Sequence, residues 1–169
     1  MESSLSTLAI LAEVTTGFVA FSAIVASLRV SFGQKLTPFQ RLLVQFFTVS
    51  GMLTVSVLLL PLVLAEYWQD EYTVARYSTF YTLAVSGSYL VYYLRQRSRV
   101  NAKTPLASLI VMIGYAILLP VLAISGTGVY WEPTLAIIAS VGFWGLFSSV
   151  VIFVSFLAEF VNPEEETEA

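Results

Sequence analysis

The sequence predicts an all-α, polytopic membrane protein of five transmembrane helices, and three observations carry that expectation. The 169 residues are 57% hydrophobic and only 11% charged, with a mean hydropathy of +0.82. One soluble core cannot absorb so much apolar surface, so lipid has to serve as solvent. Five apolar stretches can be drawn, each close to the roughly 20 residues that cross a bilayer as a helix. The connections between them are short and polar, which leaves residues 1–161 as one transmembrane domain without a separate soluble part.

The first stretch, Thr7 to Arg29, holds one carboxylate, Glu13, beside Thr15 and Thr16. A secretory signal needs a positive start and a shorter unbroken apolar core. Met1 to Ser6 has no basic residue, so the stretch reads as a retained helix over about residues 5–29. A loop with Gly33 and Lys35 leads to Thr37-Pro38, a capping side chain followed by a residue suited to the first helical position. The second helix then runs to about residue 67, and Pro61 is expected to bend or loosen its last two turns.

Tyr67 and Trp68 suit an interfacial anchor, and Asp70 and Glu71 a short acidic loop. The third helix, about residues 72–95, is rich in Tyr, Ser and Thr and ends in Arg95, Arg97 and Arg99. Thr104-Pro105 opens a fourth helix to about residue 124, with Pro120 near its end. Ser125-Gly126-Thr127-Gly128 reads as a turn, Tyr130-Trp131 as a second anchor, and the fifth helix covers about residues 133–161. Residues 162–169, with Glu164, Glu165, Glu166 and Glu168, are expected to be an acidic disordered tail on the cytoplasmic side.

Orientation follows from the basic residues. Of the eight, Arg29, Lys35, Arg41, Arg95, Arg97, Arg99 and Lys103 lie in or beside the loops after the first and third helices, and Arg76 alone lies opposite. The positive-inside rule makes those loops cytoplasmic, with the N-terminus outside and the C-terminus inside. The outer face then gathers Glu2, Glu66, Asp70, Glu71 and Glu132 as an acidic rim. A weak repetition is also visible: Thr7 to Ala12 matches Thr134 to Ala139, and the even helices share a Thr-Pro start and a Leu-Leu-Pro finish.

Absent residue types exclude several chemistries. Without Cys or His there are no disulfides, iron–sulfur clusters or thiolate zinc sites, and the usual haem and transition-metal ligands are missing. Both lysines lie in loops, which rules out a buried retinal Schiff base. No phosphate-binding glycine loop and no Ser/His or Cys/His pair is present. The chain is therefore expected to be no enzyme, to need no cofactor or metal, and to have no nucleic-acid partner. Its expected partners are the bilayer and either further copies of itself or another membrane protein, in the bacterial inner membrane.

The residue that asks most for a role is Glu13, because a carboxylate in a spanning helix costs a few kcal/mol unless it faces a bundle interior or a wet cavity. It lies roughly 12 Å along its helix, counted from residue 5 at 1.5 Å per residue. Its face continues through Gly17, Ala20 and Ile24, with Thr16 and Ser27 beside it. On the third helix Thr79, Thr82, Ser86, Tyr89 and Tyr93 recur at spacings of three and four, forming one polar face. Glu13, Thr16, Thr79, Thr82, Ser86 and Tyr89 are thus the candidate ion or proton pathway. A buried Glu13–Arg76 ion pair is the structural alternative, reached by snorkelling of the arginine. Gly114 and Pro120 are candidate hinge residues, and Arg95, Arg97, Arg99 and Lys103 a candidate contact for anionic lipid.

Three functions fit these residues. The leading one is a homo-oligomeric, channel-like assembly in which Glu13 favours cations. The others are a non-catalytic accessory subunit of a larger membrane complex and a proton-coupled carrier of small solutes.

Overall fold

A computed structural model describes residues 1–31, 37–99 and 106–161. Lys35, Lys103, the Thr104-Pro105 helix start and the acidic tail at 162–169 lie outside the described residues. The described chain is helical: α1 (Glu2–Ser31), α2 (Pro38–Ala65), α3 (Glu71–Arg97), α4 (Leu106–Thr127) and α5 (Leu135–Val161). Four of these, α1, α2, α4 and α5, are long and apolar enough to cross a membrane. The 27 residues of α3 are long enough at ~1.5 Å each, but its tyrosines, serines, threonines and Arg76 dilute its hydropathy.

Local chemistry sets the helix starts. Thr37 and Gln40 form a reciprocal capping box: Thr37 Oγ1 accepts from the Gln40 N–H at 3.1 Å, and Gln40 Oε1 accepts from the Thr37 N–H at 3.2 Å. Pro38 stands at the first helical position, where no N–H is needed. Asp70 caps α3 by accepting from the Thr73 N–H at 2.9 Å and the Thr73 hydroxyl at 2.6 Å. The end of α4 differs from the expected turn at Ser125-Gly126. Both residues are helical and buried, because the bare Gly126 Cα packs on α3; a Cβ there would lie 3.3 Å from the Phe80 ring. The chain turns instead at Gly128, whose φ of +68° favours glycine. The α-helical assignment continues through Pro61 to Ala65 and through Pro120 to Thr127.

Helices α2, α3, α4 and α5 close a ring in which each touches the next, and α1 lies outside it against α2 and α5. Lipid is as apolar as leucine, so the helices associate by close packing rather than by the hydrophobic effect. Small residues provide that packing. Gly51 lies against Val19, Gly142 against Leu58 and Gly145 against Thr54, and a Cβ at any of the three would collide with its neighbour. Ser50 and Ser149, 3.2 Å apart, join α2 to α5. Together with the Thr54–Gly145 and Leu58–Gly142 contacts, this pairs successive turns in reverse order, so α2 and α5 run antiparallel.

Larger side chains fill the two ends. Phe47 packs on Phe153 with ring centroids 5.3 Å apart, and Phe18 reaches the same ring at 5.6 Å. Towards the other end Leu8, Val57, Leu58, Val74, Leu135 and Ile138 form the second apolar cluster. Helix α1 contributes Leu8, Ala12, Thr15, Val19, Ser22 and Ala26 to the interior. Those residues alternate spacings of four and three, the seam of a coiled-coil heptad.

Candidate intramembrane site

The buried seam of α1 sends Glu13 the other way. Glu13 is exposed on the outward face, in line with Gly17, Ala20 and Ile24 and flanked by Thr16 and Ser27, all of them exposed. A Cβ built on Gly17 meets nothing within 4 Å, so the face is open as well as small. The hydroxyls here satisfy themselves locally: Thr16 donates to the Ala12 carbonyl and Ser27 to that of Ala23, each at 2.8 Å. Among the described residues the Glu13 carboxylate has no hydrogen-bond or ion-pair partner.

Glu13 and Arg76 are not brought together. Arg76 is exposed on α3, and the backbones of α1 and α3 stay apart, with α1 packed on α2 and α5. The ion pair at this end joins the Met1 amine to Glu71 at 3.0 Å.

The polar face expected on α3 is divided. Thr79 and Thr82 are fully buried and donate back to the carbonyls of Ala75 and Ser78, at 2.8 and 2.7 Å. Ser86 and Tyr89, one and two turns on, line a partly open cavity of about 30 Å³ between α2, α3, α4 and α5. The backbones of α2 and α4 stay apart, and side chains of both helices line the cavity. Its polar groups come from Ser50, Thr54, Ser86, Tyr89, Tyr93 and Tyr115, and its apolar wall includes Phe46, Leu53, Val57 and Val111. Among the described residues no charged side chain lines it. The Tyr89 hydroxyl donates to the Phe46 carbonyl at 3.3 Å, tying α3 to α2 across one wall.

The remaining candidates lie apart from both loci. Gly114 packs beneath the Trp144 indole, and Pro120 is exposed on α4. Arg95 and Arg99 are exposed at the end of α3, and the Arg97 guanidinium sits 5.3 Å above the Phe39 ring, joining that end to the start of α2. The opposite end is rich in exposed aromatic residues, Tyr67, Trp68, Tyr72, Tyr77, Tyr130 and Trp131, with Trp68 stacked on Tyr77 at 5.1 Å. That arrangement suits the headgroup level of a membrane.

Tyr115 is the lining residue that the pattern of α3 does not reveal. It belongs to α4, whose leucines and isoleucines read as a uniform apolar helix; the available signal was one tyrosine following Gly114 in that run. Compared with family models, curated proteins and solved structures, the chain matches none of them.

Proposed function

We propose that the chain is a five-span membrane protein that assembles with copies of itself through the outward face of α1, and that Glu13 in this assembly favours the passage of cations. The observation that carries the reading is the unpartnered Glu13 carboxylate on an open face of a helix apolar enough to span the membrane. A carboxylate left against lipid costs ~2.5–3.5 kcal/mol on insertion scales. Covering the face with a second copy removes that cost, and Gly17, Ala20, Thr16 and Ser27 allow close approach. A ring of carboxylates facing a common axis attracts cations.

The fifth span in this reading is α3. It runs antiparallel to α2 over most of its length, with Tyr92 bonded to Gln45, Tyr89 to Phe46 and Tyr81 to Ser56, so it crosses wherever α2 crosses. The basic ends of α1 and α3 set the N-terminus outside and the C-terminus inside. The protein is read as non-catalytic and as belonging to a bacterial inner membrane. The carrier reading is less well supported, because among the described residues no carboxylate lines the cavity.

The test is the mass of the purified protein in mild detergent together with cation flux in liposomes, wild type beside Glu13→Gln. A discrete symmetric oligomer that survives the substitution, with flux reduced at least tenfold, is the expected result. A monomer, an oligomer that dissolves in the variant, or unchanged flux would overturn it. The first two outcomes would favour an accessory subunit whose partner covers Glu13.

A further inference from the structure

Basic charge and an open cavity meet at one end of the bundle. The bonds that Tyr81, Tyr89 and Tyr92 make to α2 fix the register of the antiparallel pair α2–α3. The Arg97 guanidinium over the Phe39 ring carries that register to the helix ends, and in it Arg41 lies level with Arg95. Both arginines are exposed, and among the described residues neither has an ion-pair partner. Topology needs only positive charge near this end of the helices. Like charges brought level on adjacent helices repel unless an anion lies between them.

The cavity begins just below these arginines. Its α3 wall, Val85, Ser86, Tyr89, Leu90 and Tyr93, continues at helical spacing to Arg97, one turn beyond Tyr93. At ~1.5 Å per residue the wall reaches about 18 Å below Arg97, close to the depth of one leaflet in a hydrocarbon core of ~30 Å. The lining residues of α5, Val141 and Gly142, are buried, whereas Ser86, Tyr89, Leu90 and Met112 are half-buried, so the opening is on the side of α3 and α4. Helix α1 packs on α2 and α5, which leaves this opening clear of the Glu13 face. The hydroxyls of Ser50, Thr54 and Tyr89 are bonded inside the bundle and do not call for a polar ligand. A volume of about 30 Å³ is room for about two groups the size of water or methylene, enough for a stretch of one hydrocarbon chain and too little for a ring system.

We infer that this end of the bundle binds one anionic phospholipid, whose headgroup phosphate lies between Arg41 and Arg95 beside Arg97, and one of whose acyl chains enters the cavity from the side of α3 and α4. Guanidinium groups hold phosphate through paired, charge-assisted hydrogen bonds, and basic pockets between spanning helices are where such headgroups are bound. A free phosphate ion would meet the same arginines but leave the cavity without a chain. The inference uses the five-span reading of α3 and needs neither self-assembly nor cation passage.

Methionine methyl resonances of the full chain in phosphatidylcholine nanodiscs test the site, with a trace of phosphatidylglycerol or phosphatidylcholine that carries a nitroxide on one acyl chain. Met112 lines the cavity, and Met52 is exposed on α2. The phosphatidylglycerol probe should broaden Met112 at least threefold more than the phosphatidylcholine probe does, while the two broaden Met52 alike. Arg41→Gln combined with Arg95→Gln should abolish that preference. Glu13→Gln, and Arg76→Gln at the opposite end, should leave it unchanged. Equal broadening of Met112 by both probes in the wild type, or a preference that survives in the folded double variant, would overturn the inference. So would loss of the preference on adding soluble glycerol phosphate equimolar with the probe, since the headgroup would then be bound without its chain.

Discussion

Gly114 lies beneath the indole of Trp144 so closely that a Cβ on Gly114 would fall within the ring. This contact is where α4 meets α5. It gives Gly114 a packing role between the two helices. Gly114→Ala should destabilise the subunit by about 1–3 kcal/mol, the usual range for overpacking, seen as a lowered unfolding temperature in detergent. Trp144→Leu should also be destabilising, by leaving space. The double variant should recover part of the combined loss, because the two residues share one contact. Purely additive losses would mean that the indole does not rest on Gly114.

The cap at the start of α3 should be sensitive to acid. The hydroxyl and N–H of Thr73 hold the Asp70 carboxyl below its ordinary value of 3.8. A carboxyl depressed on folding stabilises the folded state fully above its unfolded pKa and loses that contribution as pH falls through its lower folded value. The start of α3 should therefore be intact at pH 5 and loosen progressively below pH 3.8. Amide exchange at residues 72–74, taken relative to the intrinsic rate at each pH, should accelerate over that window in the wild type. In Asp70→Ala it should already be fast at pH 5. Wild-type exchange that shows no extra acceleration below pH 4 would remove the cap from the account.

The layout of the helices was legible because membrane-spanning length and capping chemistry are local. Thr37 and Gln40, three residues apart, specify the start of α2 without reference to any other helix. Which face of a helix turns inward is a different matter. In a soluble protein the apolar face identifies itself, but in lipid both faces are apolar and the inward face is chosen by fit. Glu13 draws attention to one side of α1, while the side that packs is the heptad of Leu8, Thr15 and Ser22 with Ala12, Val19 and Ala26. Its signal was a seven-residue repeat, Leu8, Thr15 and Ser22 beside Ala12, Val19 and Ala26, that mixes hydroxyl and apolar side chains. The cavity was legible only in part: Ser86 and Tyr89 stand out on α3, but Ser50, Thr54 and Tyr115 join them only once the ring of four helices has closed.

Two glycines separate packing inside the subunit from packing between subunits. Gly51 is buried on α2 with Val19 pressed against it, whereas Gly17 on α1 has open space where a side chain would go. Gly51→Leu should therefore damage the fold of each subunit, lowering its unfolding temperature and exposing it to proteolysis. Gly17→Leu should change subunit stability by no more than ~0.5 kcal/mol, as is usual for a substitution on an open surface. The same variant places a large side chain one turn from Glu13, in the middle of the face that the proposed assembly covers. The oligomer seen in mild detergent should then be lost while far-ultraviolet circular dichroism and unfolding temperature stay near wild type. An intact oligomer in Gly17→Leu would move the subunit contact away from α1 and leave Glu13 to be covered by a different protein.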